Sequence, residues 1–298
     1  MGEGTGLGTL LLGCVLLLVN VGAQVMDAPL ADAVQHRDTM RALSLLKSQV
    51  DVNATQGDGA TALHWAVYFD DAEFVALLID SGAEVSLPNN YGVTPLALAS
   101  KNGNAVILEQ LLKSGSDPND PVNMLNADET PLMFAARSGQ SSAVKVLLDY
   151  GADINAKESW NGQSPLMWAA VEGSISVVDI LVSRGADIHA RSNSGATPFL
   201  FAARKGCLDC VRQLLRAGVN VNETRLDGAT GLLVAVINGH EDLVDVLLDA
   251  GANPDIEGGS TRLTVQGMRA ELMPLEIRKL GYTERDSETV TRGNIFGK

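Results

Sequence analysis

The feature that most constrains this chain is an internal period. Thr61-Ala62-Leu63, Thr94-Pro95-Leu96, Thr130-Pro131-Leu132, Ser164-Pro165-Leu166, Thr197-Pro198-Phe199 and Thr230-Gly231-Leu232 begin 33, 36, 34, 33 and 33 residues apart. Weaker copies flank them at Ala28-Pro29-Leu30 and Thr261-Arg262-Leu263. Repetition at this length means stacked units that bury their apolar faces against one another. Five residues after each Thr or Ser comes an alanine: Ala66, Ala99, Ala135, Ala169, Ala202 and Ala235. This ladder marks places where only a methyl group fits between two close backbones. A larger apolar residue precedes each alanine, as at Trp65, Phe134, Trp168 and Phe201.

Each unit predicts helix, turn, helix and extended loop. Thr or Ser caps the first helix, and Pro takes the first helical position, where a missing N–H costs nothing. Glycines such as Gly103 and Gly173 break the two helices apart, and Gly82, Gly115, Gly151, Gly185, Gly218 and Gly251 close the second. In the first unit Gln49 stands where that closing glycine belongs, which predicts left-handed strain or fraying. Loops such as Ala152-Asp153-Ile154-Asn155-Ala156 follow, ending in turns such as Asp58-Gly59 and Asp227-Gly228.

Composition agrees. The 298 residues are 46% apolar and only 4% aromatic, which suits many short, tightly packed helices. With 22 Lys and Arg against 36 Asp and Glu, the net charge is −14. No basic block exists to bind nucleic acid, and anionic membrane surfaces should repel the chain. Three Cys exclude a disulfide framework, and four scattered His argue against a metal site. No cofactor is implied.

These motifs resemble the ankyrin repeat. Gly59-Ala60-Thr61-Ala62-Leu63-His64-Trp65-Ala66 is similar to the front half of its consensus, and residues 143–156, Ala-Val-Lys-Val-Leu-Leu-Asp-Tyr-Gly-Ala-Asp-Ile-Asn-Ala, to the back half. The resemblance implies an all-α ankyrin-repeat solenoid of about seven repeats over residues 27–260; beyond it, residues 261–281 read as a degenerate capping unit with a polar face, and residues 282–298, with few apolar residues, as a mobile tail. It implies a non-enzymatic module that binds a protein partner on its concave face. The family's histidine is kept only at His64. Ala97, Met133, Met167, Leu200 and Leu233 replace it, so hydrogen bonds between neighbouring loops should be mostly lost.

The first 23 residues read as a cleaved export signal. Residues 7–21, LGTLLLGCVLLLVNV, carry no charge, and Val21-Gly22-Ala23 offers small residues for cleavage before Gln24. The expected location is the periplasm or the medium. The rival is an uncleaved anchor, although fifteen helical residues reach only about 22 Å of a ~30 Å hydrocarbon core. This segment and the residues 60–66 make the chain similar to exported bacterial ankyrin proteins.

Positions that the repeat leaves free are the candidate contacts. The resemblance places the first-helix ends and loop tips on the concave face. Tyr68, Phe69, Arg137, Arg204 and Lys205 end first helices, while Tyr91 and Trp160 sit at loop tips. The aromatics are candidate anchors, and Arg137, Arg204 and Lys205 should form a basic stripe. Pro118-Asn119-Asp120-Pro121 lies in a unit three residues longer than most and predicts a stiff projecting finger. Cys207 and Cys210 form a C-x-x-C at a helix start. They are either small core residues or, as the alternative function, a thiol redox pair.

Overall fold

The computed structural model describes residues 28–122 and 128–256. The expected export signal, capping unit and tail lie outside these residues. Fourteen helices occur among them, arranged as seven consecutive pairs: α1 (Pro29–Gln35) with α2 (Thr39–Lys47), α3 (Ala62–Tyr68) with α4 (Ala72–Asp80), α5 (Pro95–Asn102) with α6 (Ala105–Lys113), and α7 (Pro131–Arg137) with α8 (Ser141–Asp149). Then come α9 (Pro165–Glu172) with α10 (Ile175–Ser183), α11 (Pro198–Lys205) with α12 (Leu208–Arg216), and α13 (Gly231–Ile237) with α14 (Glu241–Asp249). First helices pack on the first helices of neighbouring units, and second helices do the same one layer away. The result is an all-α solenoid. No helix among the described residues is long and apolar enough to cross a membrane.

Helices of seven to nine residues are unstable alone. Two local devices and one packing device hold them. The hydroxyls of Thr61, Thr94, Thr130, Ser164, Thr197 and Thr230 accept the backbone N–H three residues on. Proline begins α1, α5, α7, α9 and α11. The alanine ladder is fully buried, and around it one core runs through the stack, built from residues such as Leu63, Leu96, Leu132, Leu166 and Phe199. Trp168, one of the larger residues preceding the alanines, packs against that core but is only partly buried.

The first unit carries backbone strain. Arg37 and Gln49 adopt φ of 56° and 55° where later units use glycine. Gln49 therefore takes the left-handed conformation rather than fraying, which costs roughly 1–2 kcal/mol. Asp70 does the same in the second unit, with φ 56°.

The loops are joined more firmly than the missing histidines suggest. Asn53, Asn119 and Asn222 each donate from the side-chain amide to a carbonyl of the next unit, Gly82, Gly151 and Gly251. Their Oδ1 atoms accept from Glu84, Asp153 and Asn253, and Asn155 accepts likewise from Asp187. Farther out, Asn90 and Asn193 donate to the preceding loop tips at Asp58 and Asn161. This asparagine ladder corrects the expectation that links between loops are mostly lost. It also corrects the projecting finger. Asn119 is one of its rungs, and the fully buried Val122 pairs with Glu129, so residues 118–122 lie against the stack.

His64 adds a rung of its own. Its Nδ1 accepts from the Thr61 N–H at 3.2 Å, and its Nε2 donates to the Val93 carbonyl at 3.0 Å. Both bonds together need the neutral ring, and burial holds its pKa below the ordinary histidine value. The unfolded chain therefore takes up a proton at a higher pH than the folded one. Stability from this site is complete above about pH 6.5 and declines as pH falls below it. At register-equivalent positions Met133 and Met167 stand, and the Met133 sulfur accepts from Thr130 N–H at 3.5 Å. His64→Met should thus flatten the change in thermal midpoint between pH 7.5 and 5. An unaltered slope would show that another group titrates there.

Candidate partner-binding face

Three aromatic rings collect where the first two units meet. Trp65 and Tyr68 lie on the free face of α3, and Phe69 ends it. The Trp65 and Phe69 rings stack with centroids 6.1 Å apart, and Tyr68 meets both edge-on at 5.7 and 5.1 Å. Trp65 Nε1 donates to Gln56 Oε1 at 2.7 Å, and Gln56 donates in turn to Asp32 and Gln35 on α1. The cluster is thereby tied to the first unit. Arg37 covers the Phe69 ring, its guanidinium 4.2 Å from the centroid. Beneath lies a cleft of about 320 Å³ lined by Val34, Arg37, Ala42, Ala66, Phe69 and Phe74. Tyr68 stays 57% exposed, while Phe69 is partly buried.

Trp160 is 68% exposed at its loop tip. The backbone beneath it is fixed by a residue the repeat pattern does not single out. Glu158 is only 3% exposed, and its carboxylate accepts from the N–H groups of Trp160, Asn161 and Gln163 at 2.7–3.0 Å. Asn193 of the next unit donates to the Trp160 carbonyl at 3.0 Å. An exposed indole on a bonded backbone can be buried by a partner at little ordering cost. Tyr91, 64% exposed, has a similar mount: Asn89 Oδ1 accepts from the N–H groups of Tyr91 and Val93.

The expected basic stripe is interrupted. Arg137 donates to Glu129 at 3.0 Å and lies between the Phe134 and Trp168 rings, 4.9 and 5.1 Å from their centroids. Its charge is matched by the carboxylate, so it acts as a planar filler of the face. The next first helix, α9, ends in Val171 and Glu172, which separates Arg137 from α11. Arg204 and Lys205 remain exposed and, among the described residues, make no ion pair. Arg204 leans over Phe201 at 5.2 Å. The basic feature is therefore a local pair.

Two further histidines bond backbone carbonyls. His36 Nδ1 bonds the Asp32 carbonyl, and His240 Nε2 that of Arg204. Cys207 and Cys210, read as either small core residues or a thiol pair, are joined in a disulfide, with Cys210 in the core. Burial raises the Glu223 pKa, and the Thr197 hydroxyl donates to that carboxylate. Of these arrangements, Asn89, Glu158 and Glu129 were missed from sequence. Each acts through a contact outside the repeat frame, and the two-residue spacings from Asn89 to Tyr91 and from Glu158 to Trp160 were the local signals.

Three stretches, residues 30–122, 119–192 and 185–257, match the family described as ankyrin repeats. The putative palmitoyltransferase ZDHHC13 of Danio rerio is 32% identical over 81 residues, 27% of this chain and 13% of that protein. Alpha-latrotoxin-Lh1a of Latrodectus hasselti is 36% identical over 70 residues, 23% of this chain and 5% of that protein. The chain thus spans a small fraction of either relative. Among solved structures, the human ASB11 ankyrin repeat domain superposes with a TM-score of 0.68 at 23% identity, covering 76% of this chain and 99% of that one. The ankyrin repeat domain of Bcl-3 gives 0.62 at 29% identity, covering 74% and 98%.

Proposed function

This chain belongs to the ankyrin repeat family, and from that premise we propose that it is a non-catalytic protein that holds a protein partner on the concave face made by its first helices and loop tips. Ankyrin repeats generally serve as protein interaction modules. The observation that carries the reading is the exposure of Tyr68, Tyr91 and Trp160 at positions the stack does not need, two of them on hydrogen-bonded turns. Arg204 and Lys205 add two exposed positive charges on an acidic chain. A partner segment with an apolar anchor beside Asp or Glu satisfies both. No step of this reading needs a reaction or a cofactor, and the net charge of −14 disfavours nucleic acid.

We also propose export, from the uncharged residues 7–21 and the small residues before Gln24. One experiment serves both readings. The full chain is expressed and tracked by mass, and the secreted form should begin at Gln24. That form is then used to capture partners from periplasm or medium. Trp160→Ala should weaken capture by about 2 kcal/mol or more. Lys205→Ala should slow association and lose its effect at high salt. Equal capture by a folded Tyr68→Ala, Trp160→Ala, Arg204→Ala variant would sink the concave face as the site. Met1 intact on soluble cytosolic chain would sink export alone.

A further inference from the structure

The Cys207–Cys210 disulfide has no part in holding the units together. It spans one turn inside a single unit, and the other six units make the same turn without it. In them the position before the second helix is Asp38, Asp71, Asn104, Gln140, Ser174 or His240. A cross-link that closes so short a loop also removes little chain entropy. Its surroundings differ at its two ends. Cys207 caps the nine-residue α12, and its sulfur accepts from the Cys210 N–H at 3.3 Å. Cys207 is partly exposed, whereas Cys210 is fully buried. Lys205 and Cys207 converge on Gly173, and His240 packs over the intervening Gly206. Of the acidic groups nearby, Asp209 is drawn to Arg212 at 3.3 Å, while Glu172 and Glu241 end and begin the flanking helices α9 and α14. A helix start favours a thiolate at the partly exposed Cys207, and the Lys205 side chain runs past the same glycine.

We propose that Cys207 and Cys210 form a reversible thiol–disulfide exchange site, with Cys207 as the attacked and attacking sulfur and Cys210 as the resolving one. The co-reactant is a thiol of the glutathione class. Its thiolate attacks Cys207 Sγ, forming a mixed disulfide and breaking the bond to Cys210, which leaves as thiolate and takes a proton. A second thiolate attacks the outer sulfur of the mixed disulfide. It releases Cys207 as thiolate, which the α12 N-terminus accepts as cap, together with the oxidised small disulfide. In sum, one protein disulfide and two thiols become one dithiol and one small-molecule disulfide. Lys205 borders both this pair and the proposed partner face, but the exchange step does not depend on partner capture, and either reading stands if the other fails.

The test uses the full chain carrying Cys14→Ser, so that only this pair reports. It is equilibrated in buffers of graded glutathione redox poise, trapped with a maleimide and read by mass and circular dichroism. The expected result is reversible conversion with the helical signal unchanged. With Cys210→Ser added, the chain should take up one glutathione at Cys207. At pH 7 its maleimide reaction should then be more than about tenfold faster than that of Cys210 in the Cys207→Ser chain, reflecting a thiolate formed below the free-thiol value of about 8.5. If either serine variant does not fold, limiting alkylation of the reduced pair followed by peptide mapping should find the label first on Cys207. A disulfide that yields only after the chain is unfolded in urea would overturn the proposal. So would equal labelling of the two sulfurs.

Discussion

Phe199→Ala should lower the unfolding free energy by about 3–5 kcal/mol, measured by urea denaturation followed by circular dichroism. Phe199 is the one phenylalanine at a register otherwise held by leucine, at Leu30, Leu63, Leu96, Leu132, Leu166 and Leu232. It is fully buried on α11, and it reaches the start of the next first helix. A Cβ placed on Gly231 would lie 2.5 Å from the Phe199 ring. Proline occupies the equivalent position in five of the other units, so this glycine is the partner of the larger ring rather than a random loss of the motif. The two departures from the Thr-Pro-Leu frame thus compensate each other. Gly231→Pro should therefore destabilise the chain by a few kcal/mol on the wild-type background. On the Phe199→Leu background it should cost far less. Additive effects of the two substitutions would mean that the ring does not depend on the glycine.

The same pair illustrates what the sequence could and could not convey. Thr-Pro-Phe and Thr-Gly-Leu are both visible as strings, but nothing in a period of 33 says that one irregularity touches the other. Periodicity reports what every unit must do: cap with Thr61 or Thr130, keep Ala135 small, close with Gly151. Those features set the helix boundaries and the core, and they were legible. The site rests on contacts made once. Glu158 looks like any surface carboxylate until its backbone partners at Trp160, Asn161 and Gln163 are seen. Arg137 and Arg204 look alike as helix-ending cations, yet Glu129 neutralises one and not the other. Asn119 sits between two prolines, which suggested a finger, but its amide is a rung to Gly151. Trp168 shares its register with Phe134 and Phe201, but being partly buried it should lose less on change to Ala than a fully buried tryptophan would.

Ala169→Leu should cost on the order of 1–3 kcal/mol, although it adds apolar surface to an apolar place. Ala169 is fully buried on α9, a helix that packs against α7, α11 and its own partner α10. Its methyl group is fully enclosed, so a leucine side chain cannot enter without displacing a neighbour. Relief requires α9 to move away from a neighbour. That weakens contacts on both sides, because each unit is held by the adjoining ones along the shared core. The position matters more than the residue type: Glu172→Leu, three residues on at the exposed end of the same helix, should change the thermal midpoint little. A chain carrying Ala169→Leu that unfolds at the wild-type midpoint would show that the helices are not in close contact at this rung, and the alanine ladder would then need another cause.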